Sequence, residues 1–403
     1  MKTVFYFSRR KILLIFIIVL FSLSFYRGIQ RVKDLPVGSD YKRITGYPDL
    51  IYLPEYASGP RIQARAAILV EAVSGMILYA KNEHSRRAPA STTKVLTAIV
   101  TLEKGNLEDV VRVSRQAAST GGSSLWLKAG DRIVLSELLK GTLLRSGNDG
   151  CVAIAQHIAG TERAFVELMN RKAKEIGALN TNFRNTHGLR APSHYTTAFD
   201  LAQITRYAMD NKNFADLVST KEGAVEWYEG KKKATVRNTN RLLWSFVGAD
   251  GVKTGTTNEA GHCLVASATR DGRRFISVVL HSPNRWDESS RLLEYGFNNF
   301  TLHLLASVER PETALSIPGG WPSEVPVYPR NNLLAVLPLG KEGLAQKKIT
   351  LDPQSMEPPV RPGTVVGKVF FKYRGVEVET VDLVILQNVK KDNWWRRLWR
   401  RGK

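Results

Sequence analysis

"PASTTKVLTAIV", residues 89–100, decides how this chain is read. An apolar run with helical spacing follows Ser91, Thr92 and Thr93, whose hydroxyls suit the orphan N–H groups of a first helical turn. With Ser91 as N-cap, Lys94 falls on the third helical position. A capping box places Glu or Gln there, and the helix dipole disfavours a cation. Local stability therefore does not choose this lysine. One helical turn sets Ser91 and Lys94 on the same face, and a lysine desolvated at the positive end of a helix tends to lose its proton. A neutral amine beside a hydroxyl is a nucleophile with its base.

The chain around this stretch has 403 residues, room for two or three domains, and its 43% hydrophobic and 24% charged residues are ordinary for a globular protein. The formal charge of +21 raises the possibility of nucleic acid. Its distribution argues against it, because residues 1–11 supply +4 and residues 389–403 supply +6, nearly half of the excess at two ends. The first end reads as an export signal, a basic segment followed by "ILLIFIIVLFSLSFY" (12–26), whose length fits an h-region of roughly 7–15 residues better than a full span. Residues 1–30 then serve as a cleaved signal or an uncleaved anchor. An exported protein has no nucleic-acid partner. The other end, "NWWRRLWRRGK" (393–403), puts Trp394, Trp395, Leu398 and Trp399 on one side of a helix and Arg396, Arg397, Arg400 and Arg401 on the other. That separation predicts association of residues 389–403 with an anionic membrane surface.

Between the ends, residues 31–60 lack periodicity and read as a linker. From residue 61 the pattern is regular. "AAILVEAVSGMILYA" predicts two strands turning at Val73 to Gly75, and "HCLVASATRDGRRFISVVLHS" predicts a hairpin with Asp271 and Gly272 at its tip. Helical spacing covers 136–144, 149–158, 162–176, 199–210 and 289–300. Strands on both sides of a helical middle predict an α+β fold, an antiparallel sheet with a helical cluster over residues 61–304. After about residue 305 the helical signal stops, and 305–388 reads as a small all-β domain.

A lone S-x-x-K is weak evidence, since Ser8 to Lys11 matches it inside the export signal. Its companions carry the argument. Hydrolases of this type need a second hydroxyl and an amide, which "LLRSGNDG" supplies as Ser146 and Asn148. They also need a cation and backbone donors along a strand edge, which "GVKTGTT" supplies as Lys253, Thr254 and Gly255. The three elements occur in order. No metal-ligand cluster such as H-E-x-x-H appears, and no cofactor is expected. Cys151 and Cys263 lie in apolar stretches, as a pair or as separate buried thiols, and are assigned no chemistry.

With these motifs, "NTHGLRAPSHYTTAFDLAQI" and "ADGVKTGTTNEAGHCLVASA", the chain from about Arg61 to Leu302 resembles the serine-type D-alanyl-D-alanine carboxypeptidases, the low-molecular-mass penicillin-binding proteins. Residues 308–388 are similar to that family's C-terminal β domain and the tail to its membrane anchor. The resemblance implies a penicillin-binding, serine β-lactamase-like fold. It implies that Ser91 attacks the D-Ala-D-Ala carbonyl, Lys94 takes its proton and Ser146 passes a proton to the departing D-alanine. Asn148 would hold the substrate amide, Lys253 would add positive potential, and Thr254 would bond the terminal carboxylate. The N–H groups of Ser91 and Thr256 would form the oxyanion hole beside Gly255, and Arg285 would be a further carboxylate contact or a surface arginine. The partners implied are peptidoglycan stem peptides, with β-lactam antibiotics as inhibitors, at the outer face of the cytoplasmic membrane. Glu71 and Ser74 depart from the family's D-x-x-T-G turn, and His187 reads as structural because Ser91 already has its base.

Three other readings stand beside this one. A class A β-lactamase uses S-D-N and a separate deacylating Glu; Gly147 stands in the middle position here and no E-x-x-L-N precedes Lys253. A DD-endopeptidase would use the same residues. A catalytically blunted penicillin sensor or wall-binding protein would have lost a motif residue.

Overall fold

Six strands carry the site: β1 (Ile51–Tyr52), β2 (Ala66–Glu71), β3 (Met76–Lys81), β4 (Ala249–Thr257), β5 (Gly261–Arg270) and β6 (Arg273–Ser282). The computed structural model describes residues 50–53, 59–230, 232–352 and 356–392. The export signal, most of the linker and the Trp/Arg faces of the tail lie outside the described residues. The strands run in the order β1-β3-β2-β6-β5-β4, and every neighbour is antiparallel except β1 on β3. Residues 51 and 52, inside the stretch read as linker, thus add an edge to the sheet, since two residues are too few to show a period of two. The hairpin tip forms as the sequence predicts, with positive φ at Asp271 (49°) and Gly272 (74°), the combination that matches the twist of paired strands.

Alternation along the strands gives the sheet two buried faces. Ile68, Val70, Val265, Ile276 and Val278 face one core, while Ala67, Leu69, Leu264, Phe275 and Val279 face the other. The first core is completed by six helices: α1 (Lys94–Lys104), α2 (Leu135–Arg145), α3 (Asn148–Ala159), α4 (Glu162–Glu175), α5 (Ala198–Met209) and α6 (Lys212–Ser219). Helix α7 (Arg285–Asn299) covers the second core. It begins four residues before the expected start, with Asp287 and Glu288 in its first turn, where the dipole favours acids. Glu288 is fully buried and accepts from Ala64 N (3.1 Å) and Ser282 Oγ (2.5 Å), fastening α7 to the sheet.

Helix α1 lies inside the helical layer, with Lys94 to Thr101 all buried. Its polar positions are satisfied: Thr97 Oγ1 donates to Thr186 O (2.6 Å) and Thr101 Oγ1 to Thr97 O (2.8 Å). The chain then leaves α7 through a strand at Phe300–Ala306 that pairs with Leu333–Pro338. A five-stranded antiparallel sheet follows, in the order 313–316, 324–329, 376–385, 365–373, 345–351. The fold is α+β with a small β region after it, as read from the sequence. Among the described residues no helix is long and apolar enough to cross a membrane.

Candidate active site

Ser91 does not cap a helix. Residues Ala90–Thr93 form a 3-10 turn, α1 begins at Lys94, and neither start has a side-chain cap. The threonine hydroxyls instead point back along the chain, Thr92 Oγ1 to Pro89 O (2.7 Å) and Thr93 Oγ1 to Ala90 O (2.8 Å). Ala90 holds a left-handed φ of 48°, a sparsely populated conformation that must be imposed by its surroundings. The loop after α4 imposes it from one side. At Gly188 (φ 90°) an added Cβ would lie 1.8 Å from Ala90 O, so only glycine permits the approach. His194 braces the turn from another: Arg184 N–H donates to its Nδ1 (3.1 Å), so Nε2 carries the hydrogen and reaches Thr93 Oγ1 at 3.0 Å.

Lys94 Nζ lies 3.0 Å from Ser91 Oγ, 2.7 Å from Asn148 Oδ1 and 2.9 Å from His187 O. The residue is completely buried, and burial holds its pKa below the ordinary lysine value against the pull of Cys151 and Asp149. Asn148 opens α3, and its Nδ2 donates to Gly121 O (2.8 Å), which fixes Oδ1 toward the lysine. Ser146 ends α2 in the left-handed region (φ 67°, ψ 32°), so its side chain leaves the helix where α3 begins. Asp149, fully buried behind it, accepts from Leu125 N (2.9 Å), Leu127 N (3.1 Å) and Ser124 Oγ (2.6 Å), which holds the 119–127 loop against the Ser146–Asn148 turn.

The third wall is β4, the edge strand of the sheet, carrying Lys253 to Thr256. A Cβ at Gly255 would meet Ser91 N at 3.0 Å and Pro89 O at 2.9 Å, so glycine lets the strand lie directly on the Ser91 turn. Lys253 is buried and its pKa is well below normal, from desolvation first and from Lys94 second. Thr254 Oγ1 is 2.7 Å from Thr239 Oγ1. Arg285 is half-buried on this strand, donating to Gly255 O (2.9 Å) and Thr256 Oγ1 (2.7 Å). Lys94 thus joins Ser91 to Asn148 by direct contacts, β4 lies on the Ser91 turn at Gly255, and Ser146 stands two residues before Asn148 between α2 and α3.

The family model described as D-alanyl-D-alanine carboxypeptidase matches residues 54–284, more than half of the chain. The chain belongs to that family. A second model, the C-terminal domain of penicillin-binding protein 5, matches residues 303–391. D-Alanyl-D-alanine carboxypeptidase DacC of Escherichia coli is 34% identical over 383 residues, 91% of this chain and 94% of that protein. DacF of Bacillus subtilis is 33% identical over 82% of this chain and 86% of its own. The crystal structure of penicillin binding protein 5 from Haemophilus influenzae superposes with a TM-score of 0.73 at 30% identity, covering 83% of this chain and all of that one. Penicillin binding protein 6B from Escherichia coli gives 0.66 at 32%, covering 84% and 99%. The chain is a serine peptidase of D-alanyl-D-alanine carboxypeptidase function.

Within this carboxypeptidase, the departures noted in the sequence have local explanations. Glu71 Oε2 accepts from both Ser74 N and Ser74 Oγ at 2.6 Å, so this acid and this hydroxyl close the turn between β2 and β3. His187 offers its backbone oxygen to Lys94, while its ring accepts from Leu189 N (3.2 Å) and is pushed by burial to a pKa of about 3. Cys151 and Cys263 are separate buried thiols, each raised by burial to about 11. Thr239 belongs to none of the motifs read in the sequence, and only its contact with Thr254 brings it to the site.

Proposed function

We propose that this carboxypeptidase removes the terminal D-alanine of peptidoglycan stem pentapeptides through an acyl-enzyme on Ser91. The observation that carries the reading is the set of contacts at Lys94. Asn148 Oδ1 and His187 O can only accept, and together they use both N–H groups of a neutral amine. The lone pair then faces Ser91 Oγ and takes its proton as the oxygen attacks the carbonyl. The N–H groups of Ser91 and Thr256 bind the oxyanion, and Asn148 uses its second Nδ2 hydrogen for the substrate amide. Thr254 and Arg285 take the terminal carboxylate, and Lys253 adds positive potential. Collapse breaks the peptide bond, and the proton held by Lys94 passes through Ser146 to the leaving amine. Water then hydrolyses the ester by the same base. No cofactor takes part in these steps.

On the same reading, residues 61–304 are the catalytic domain and 305–388 a β domain. The chain is exported and held to the outer membrane face by residues 389–403, and β-lactams acylate Ser91 as inhibitors.

The test is intact-mass spectrometry of the purified full chain in detergent with diacetyl-L-Lys-D-Ala-D-Ala, with and without a penicillin. One D-alanine released per peptide, blocked by a penicillin adduct on Ser91 that Ser91→Ala abolishes, is the expected result. An adduct without release moves the activity toward an endopeptidase, and labelling of Ser91→Ala removes the nucleophile.

A further inference from the structure

Trp126 is 63% exposed, the most exposed indole among the described residues, on the 119–127 loop that is hydrogen-bonded to Asn148 and Asp149 just after Ser146. Exposure alone would mean little, but this ring is held rigidly. The residues on both sides of it, Leu125 and Leu127, donate their N–H groups to the buried Asp149. Trp126 N itself donates to Ser124 Oγ (2.7 Å), and its φ is 57°, an uncommon conformation for a bulky residue. Arg145, adjacent to Ser146, stacks on the indole with its guanidinium carbon 3.6 Å from the ring centroid. Its Nε donates to Ser124 O (2.9 Å). The plane of the guanidinium is thereby fixed on two sides, while its two terminal amines have no acceptor among the described residues.

A planar fork of free N–H groups in a fixed orientation is a receptor for a carboxylate. We propose that Arg145 and Trp126 form a carboxylate subsite beside Ser146, taking a second acidic group of the substrate peptide, distinct from the terminal carboxylate given to Thr254 and Arg285. The inference rests on the peptide-cleaving reading above. Trp126 supplies an apolar face for the aliphatic stem that carries the acid, and the stacking lowers the entropy that a free arginine would lose on binding.

The experiment compares two pentapeptides with the full chain in detergent: L-Ala-γ-D-Glu-(Nε-acetyl)-L-Lys-D-Ala-D-Ala, and the same peptide with the glutamyl carboxylate amidated. The unmodified enzyme should favour the acid about tenfold in kcat/KM, mostly through KM. Arg145→Gln should bring the ratio near one, Arg145→Lys should leave an intermediate ratio, and Trp126→Ala should cut it at least threefold while Trp126→Phe keeps most of it. A ratio near one in the unmodified enzyme, or equal losses on both peptides in Arg145→Gln, would overturn the proposal. Penicillin adducts on each variant report that it is folded. Should the unmodified enzyme release no D-alanine, the catalytic reading fails on its own, and calorimetric binding of the two peptides still decides the subsite by the same ratio.

Discussion

At Lys94, the chemistry of the site depends on where one proton resides. Lys94 and Lys253 are both buried, and at Lys253 the neighbouring Lys94 and Arg285 add to the cost of a charge that desolvation already opposes. Desolvation lowers the pKa of both lysines, so each loses its proton at lower pH than an exposed lysine. The penicillin acylation rate should therefore rise with pH while Lys94 deprotonates and level off below the ordinary lysine pKa. Lys94→Arg, which keeps the charge but cannot act as base, should slow acylation by roughly 10²–10⁴-fold. A rate that falls as pH rises from 6 to 9 would mean that Lys94 works as a cation. Ser91 and Lys94 were legible in the sequence because they are three positions apart and any helical turn joins them. Thr239, 15 residues before Thr254, was not, because only the packing of the 238–240 turn on β4 brings the hydroxyls together.

At the scale of elements, the site is where a turn, a loop and a strand are pressed together. The periodic elements announced themselves: the hairpin β5–β6 by alternation and a two-residue tip, helices α2 to α5 by their spacing. Helix α6 escaped because it has only eight residues, its start marked by the single cap Asn211, whose Oδ1 accepts from Phe214 N (3.2 Å). The loop at 185–196 carries no period at all, yet it sets the Ser91 turn through Gly188, His187 O and His194. Its two histidines tie the site to acid stability. Burial takes His187 to about 3 and His194 to about 4, both below the unfolded value of about 6.5. Between these limits the unfolded chain binds more protons than the folded one, so stability is full above pH 6.5 and is lost as pH falls toward 4. The slope should approach about 1.4 kcal/mol per pH unit for each histidine. Urea midpoints of the wild-type chain at pH 7 and 5 measure it, and His194→Gln should reduce the difference by about half; an unaltered difference would assign the acid sensitivity elsewhere.

Across the whole molecule, charge and cores are separated by role. The sheet is closed on one face by the helices that build the cleft and on the other by α7 and the C-terminal strands, whose buried residues belong to the same apolar cluster. The β region therefore adds to the second core without touching Ser91, which explains why it shows little chemistry in the sequence. Its last described strand, Lys390–Lys391, pairs with Gly320–Trp321. Truncation after Asp392 keeps that pairing and removes three tryptophans and five cations. With each cation worth about 1 kcal/mol near an anionic surface, binding to phosphatidylserine-containing vesicles should weaken by at least tenfold. Release of D-alanine from the diacetyl tripeptide should stay within twofold, since every residue assigned to the reaction lies between Ser91 and Arg285. Raising the salt should weaken the intact chain toward the truncated one, because the attraction acts within a Debye length of the surface. Vesicle binding that survives truncation, or that ignores both salt and lipid charge, would place the attachment in the first 30 residues instead.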